Sequence, residues 1–129
     1  MHPLAALITL LNVLLLFLTA GLVGRARGKY GIQAPATTGR PDFERTFRAQ
    51  MNTLEQTVAF LPVLWLASAY SDEKIAAYLG FAWIVGRCWY VFGYITEADK
   101  RSMGFLIGFL AFLGLLGMSA WGLAHALFV

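Results

Sequence analysis

The chain has 129 residues, of which 59% are hydrophobic and only 13% charged, with a formal net charge of +3. A mean hydropathy of +0.66 leaves too little polar surface for a water-soluble domain of this size and points to lipid as the solvent. Eight of its ten basic residues fall in or around two short connections and form no continuous basic face, which argues against nucleic-acid binding.

Four apolar spans are predicted, about 4–24, 42–70, 74–95 and 104–128, with no strand pattern, as an all-α integral membrane bundle in one domain (residues 1–129). The first begins without the basic segment of a signal peptide and runs on to Arg25, so it is expected to be a retained transmembrane helix. A breaker cluster, Thr37-Thr38-Gly39-Arg40-Pro41, precedes the second span. Pro41 at a first helical position, followed by Asp42 and Glu44, makes a good helix start. This span exceeds the ~20 residues a bilayer requires, so its first turns should project beyond the hydrocarbon. Pro62 within it removes a backbone hydrogen bond and should bend it.

Ser71, with Asp72 and Glu73 behind it, reads as the N-cap of the third span in a tight hairpin. Cys88 in that span is alone, so it forms no disulfide and no cysteine-based metal site, and is read as packing. Thr96 to Ser102 reads as a short polar turn. Gly104 and Gly108 then open the fourth span with a GxxxG spacing. Two readings stay open there, a close helix contact or the ordinary abundance of glycine in membrane helices. Arg25, Arg27, Lys29, Arg40, Arg45, Arg48, Lys100 and Arg101 lie in or around the first and third connections, against Lys74 alone in the second. The positive-inside rule therefore places connections one and three in the cytoplasm and both termini opposite.

Arg48, Asn52 and Glu55 are spaced i, i+4 and i+7, so they form one polar stripe at the start of span two. Arg87, Tyr90 and Tyr94 form another near the end of span three, just before Arg101. Each has a bland alternative. The tyrosines could be an interfacial aromatic belt, and Arg48 and Glu55 could neutralise each other or pair with Arg87. The hairpin at Ser71 makes the two helices antiparallel neighbours, which brings both stripes to one end. A peptide-like ligand carrying carboxylates and an ammonium group would satisfy that mixture. His2 and His125 lie at opposite ends of the chain, and no metal-ligand spacing is present.

The segment Phe43-Glu44-Arg45-Thr46-Phe47-Arg48-Ala49-Gln50-Met51-Asn52-Thr53-Leu54-Glu55 resembles the signature of the membrane-associated proteins in eicosanoid and glutathione metabolism. The run from Leu79 to Arg87, then Tyr90, Gly93-Tyr94 and Lys100-Arg101-Ser102, resembles most the type-three microsomal glutathione transferase branch. Arg27-Gly28-Lys29-Tyr30 is more loosely similar to its first basic loop.

The resemblance implies a homotrimer of four-helix protomers that binds glutathione as co-substrate between neighbours near the cytoplasmic face. It makes Arg48, Asn52, Glu55, Tyr90 and Tyr94 glutathione-binding positions, with Gln50 and Arg27 supporting them. It makes Arg101 the catalytic residue facing the glutathione sulfur. Gln56 departs from the tyrosine that the leukotriene C4 synthase branch carries there. The implied activity is attack by a glutathione thiolate on a hydrophobic, lipid-like electrophile or on a lipid hydroperoxide, with no metal. The alternatives are a non-catalytic lipid-presenting member of the same family and, on intramembrane charge alone, a small channel or transporter.

Overall fold

The computed structural model describes residues 1–129 and contains four long α-helices: α1 (Pro3–Tyr30), α2 (Pro41–Tyr70), α3 (Glu73–Thr96) and α4 (Ser102–Phe128). A single 3₁₀ turn, Ala98–Arg101, joins α3 to α4. The backbone amide of Leu4 donates to Glu73 Oε1 at 3.1 Å, which ties the start of α1 to the start of α3. The helices therefore alternate up and down, and connections one and three share one end of the bundle.

Helix ends follow local chemistry more than the hydropathy boundary. α1 runs past Arg25 to Tyr30, because nothing before Gly31 breaks it. Gly31 adopts a left-handed conformation (φ 66°), which glycine reaches without strain, and closes the helix. Pro41 starts α2 as expected, and the helix continues through Pro62. The expected cap of α3 is corrected by one residue. Asp72, not Ser71, is the N-cap, its carboxylate accepting from the Ile75 amide at 3.0 Å, while Ser71 closes α2. A carboxylate at that position also meets the positive end of the helix dipole.

The core is apolar, centred on Phe60 of α2 stacked on Trp83 of α3 at 3.8 Å between ring centroids, with Leu64 and Leu115 packed around them. Outward-facing apolar side chains such as Phe17, Val58, Tyr78 and Trp121 remain exposed, as a lipid-facing surface requires. Three helical segments, containing α1, α3 and α4, are long and apolar enough to cross a membrane on composition. α2 is the exception because it carries the polar residues, and it packs against the other three helices. A thread of polar contacts crosses the core through it. Arg87 of α3 donates to Thr53 of α2 at 2.9 Å, and the Thr57 hydroxyl lies 3.3 Å from Asn12 Oδ1 of α1.

The glycines of α4 divide between the two open readings. A Cβ on Gly86 would lie 2.7 Å from the amide nitrogen of Gly108 and 3.0 Å from the carbonyl oxygen of Gly104, so α3 and α4 touch backbone to backbone there. Gly117 faces open space. The GxxxG spacing thus marks a helix contact, whereas Gly117 is the ordinary membrane glycine.

Candidate active site

A cleft of about 740 Å³ opens at the end shared by the two basic connections, between α2, α3 and the start of α4. Arg48 and Asn52 line it from α2, Tyr90 and Tyr94 from α3, and Arg101 from the 3₁₀ turn, with Ser102, Phe105 and Leu106 completing the wall. The helical periodicities that make each stripe one face, together with the two-residue hairpin, account for the convergence. Five of the expected site residues therefore meet in one cavity.

Two guanidinium groups line this cleft, and no carboxylate does. Arg101 lies over the Tyr94 ring, its guanidinium carbon 4.8 Å from the centroid, which holds an otherwise exposed side chain at the rim. Tyr94 meets Tyr90 edge to face at 5.5 Å. Glu55 lies beside the cleft and pairs with Arg48 at 3.5 Å, both side chains being more than half exposed. Of the partners open to Glu55, the structure selects Arg48 and not Arg87.

Arg87 has a different role. It is 2% exposed and donates to Asn52 Oδ1 at 2.8 Å and to Thr53 Oγ1 at 2.9 Å, with its guanidinium 4.1 Å from the Tyr90 ring centroid. It sits behind the cleft and braces two of its walls. Sequence reasoning placed Arg87 on the right stripe but did not count it among the site residues. Phe105 and Leu106 carried no signal, being apolar residues in an apolar helix.

Two expected supporting positions stand apart from the cleft. Arg27 donates to the Ala36 carbonyl at 2.7 Å and covers the Phe43 ring at 5.0 Å. Gln50, two residues from both Arg48 and Asn52, faces away from their stripe and is not among the lining residues. No group of three or more histidine, cysteine or acidic side chains is placed to hold a metal ion.

A bundle of apolar helices whose polar residues converge on one terminal, cationic and tyrosine-lined cleft defines a small integral membrane protein with a candidate site at that end. The sequence profile of the MAPEG family matches residues 5–121. An uncharacterized protein of Synechocystis sp. is 53% identical over 106 residues, covering 82% of this chain and 77% of that one. Microsomal glutathione S-transferase 2 of Homo sapiens is 46% identical over 106 residues, or 81% of this chain and 71% of the relative. Leukotriene C4 synthase of Cavia porcellus is 39% identical over 125 residues, 96% and 83% of the two chains. The chain belongs to the MAPEG family.

Proposed function

We propose that this protein is a membrane-bound glutathione transferase that activates the glutathione thiolate for attack on hydrophobic electrophiles or on lipid hydroperoxides. The observation that carries this reading is the pair of guanidinium groups, Arg48 and Arg101, in a cleft lined by no carboxylate. Such a cleft favours the anionic form of whatever it binds. The name of one relative, microsomal glutathione S-transferase 2, supports glutathione as that ligand.

Each side chain has a task in this scheme. Arg48 takes a glutathione carboxylate, and Glu55 takes the ammonium group. The NH₂ group of Asn52 and the hydroxyls of Tyr90 and Tyr94 satisfy the amides. Arg101 stabilises the sulfur as a thiolate. A free thiol of pKa ~8.5 is only a few per cent ionised at neutral pH. A shift of about two units, roughly 2.7 kcal/mol of preference for the anion, makes the thiolate dominant. Arginine suits the task because it stays charged when desolvated.

The thiolate then forms a bond to an electrophilic carbon, and the displaced or accumulated charge is quenched by a proton. With a hydroperoxide, the sulfur takes the distal hydroxyl oxygen as the O–O bond breaks, and the alkoxide leaves as an alcohol by taking a proton from water. A second glutathione then displaces water from the sulfenic acid to give the disulfide. The hydrophobic partner reaches the cleft from the membrane past Phe105 and Leu106.

A homotrimer belongs to the same proposal. Arg27 and Gln50 lie off this cleft, and a neighbouring protomer would allow both to contribute to a shared site. The positive-inside distribution supports a cytoplasmic site with both termini on the opposite side. The deciding experiment is calorimetric titration of glutathione into purified protein, followed by thiolate absorbance on mixing and turnover of a lipid electrophile. Glutathione binding separates this reading from the non-catalytic, lipid-presenting alternative, and thiolate formation settles it further. No binding at all would overturn the assignment.

A further inference from the structure

A second cleft opens at the same end of the bundle, on the side of α1, with a volume of about 350 Å³. It lies between the end of α1, the first turns of α2 and the end of α3. Arg25, Lys29 and Arg45 line its mouth together with Asp42, and Leu22 and Ile95 form its apolar wall. It shares no lining residue with the cleft that holds Arg48 and Arg101.

The charge balance of this cleft is lopsided. Its one carboxylate is already engaged: Asp42 accepts from Arg45 at 2.6 Å, pairs with Arg40 at 3.5 Å and lies 3.4 Å from the Tyr30 hydroxyl. The hydrogen bond from Arg45 is the main reason its carboxyl titrates below the usual range, so it remains an anion with no spare capacity to neutralise the rest. Arg25 and Lys29, one turn apart on α1, make no ion pair within the chain. Arg45 Nε is buried without an acceptor, although its Nη2 is satisfied by Asp42. A buried donor of this kind is an unmet demand for an acceptor.

The placement adds a second constraint. Leu22 to Lys29 spans about 10 Å along α1 and crosses from apolar membrane span to charged connection. An occupant must therefore be anionic at one end and tolerate hydrocarbon at the other. The volume is near the lower end of ligand sites, ~300–1,000 Å³, so it takes a headgroup and not a whole amphiphile.

We propose that the Arg25–Lys29–Arg45 cleft is a binding site for a phosphate group at the membrane surface, satisfied by an anionic phospholipid whose chains leave along Leu22 and Ile95. The same oxyanion could also come from a soluble phosphate ester.

The test uses the full-length protein in detergent, with native mass spectrometry of phosphatidylglycerol and phosphatidylcholine added at equal concentration. Phosphatidylglycerol is expected to be retained preferentially, and Arg25→Gln/Lys29→Gln to lower its retention by roughly five-fold per charge removed. Lys100→Gln, at the same end but outside the cleft, should leave retention unchanged. If the double variant does not fold, Leu22→Trp keeps every charge and blocks the apolar exit, and should lower lipid retention alone. Glycerol 3-phosphate, titrated as competitor, separates the two sources: displacement at millimolar concentration identifies a soluble ester as sufficient, and no displacement identifies the lipid. Equal retention of the two lipids, an unaffected folded variant, or displacement of the lipid by saturating glutathione would each overturn the proposal.

Discussion

Arg87 donates to the side-chain oxygen of Asn52 at 2.8 Å, and this contact fixes which way the Asn52 amide faces. A guanidinium has only donors, so the oxygen must point back at Arg87 and the NH₂ group is left for the cleft. Asn52 therefore offers donors to a ligand, in keeping with a carbonyl or carboxylate acceptor. Replacing Arg87 with Leu should free that amide to flip and leave the hydroxyl oxygen of Thr53 without its donor. A stability loss of about 1–3 kcal/mol is expected from unpaired buried polar groups, together with weaker ligand binding. Thermal unfolding in detergent, compared with glutathione affinity on the same preparation, reads both.

Glu55→Gln should behave in the opposite way. The Arg48–Glu55 pair is exposed and 3.5 Å long, so losing it changes stability by no more than about 1 kcal/mol. If Glu55 holds the ligand ammonium, affinity should fall by roughly ten- to 150-fold, the loss of one charge-assisted bond of ~1.5–3 kcal/mol. An unchanged affinity in a well-folded variant would remove Glu55 from the site.

Arg101 and Lys100 are adjacent but differently placed. Lys100 pairs with Glu97 at 3.8 Å, whereas Arg101 lies over Tyr94 at the cleft. Only Arg101→Ala is expected to raise the pKa of bound glutathione thiol and depress turnover, with glutathione affinity within a few-fold of the parent. The sign follows from charge. Removing a cation disfavours the thiolate, so activity lost at neutral pH should partly return above the free thiol pKa of ~8.5. Titrating thiolate absorbance in both variants checks this, and an unshifted thiol in Arg101→Ala would refute the role.

Two glycine substitutions in the same helix should have opposite effects. A Cβ on Gly104 would run into the backbone of Tyr90 and lie 2.7 Å from the carbonyl oxygen of Gly86, so Gly104→Ala should force α3 and α4 apart and destabilise the fold. Gly117 faces open space, and Gly117→Ala should be neutral or stabilise by up to about 1 kcal/mol through helix propensity. Melting temperatures of the two variants in detergent make the comparison.

The sequence was most legible where a physical period governs the outcome. The i, i+4, i+7 spacing placed Arg48 and Asn52 on one face, and the hairpin brought that face to Tyr90 and Tyr94. What stayed hidden depends on register. Whether Arg87 meets Glu55, Arg48 or Asn52 turns on a shift of one helical turn between α2 and α3, which no single sequence specifies. The apolar span and the helix α1 end at different places, because charge marks the edge of the hydrocarbon whereas a helix ends only where its backbone is interrupted. Arg25 to Tyr30 are helical and polar at once. The Asp72 cap was missed by one residue because serine and aspartate cap helices about equally well. Phe105 and Leu106 illustrate the remaining gap, since apolar residues announce burial or lipid contact but not which cavity they face.

The polar thread from Asn12 through Thr57 and Thr53 to Arg87 also bears on how the protein is made. α2 is less apolar than the three helices long and apolar enough to cross a membrane on composition, and Arg87 is a charge within α3 that finds its acceptors only on α2. Each of these helices removes the other's obstacle to entering the bilayer, and the tight turn at Ser71 and Asp72 delivers them together. Biogenesis is therefore expected to proceed by insertion of an α2–α3 pair, not helix by helix. Chains truncated after Tyr70 should leave α2 accessible to a water-soluble thiol reagent at a cysteine introduced in place of Val58, and chains extended through Thr96 should protect it. Protection of that cysteine in the shorter chain would show that α2 enters alone.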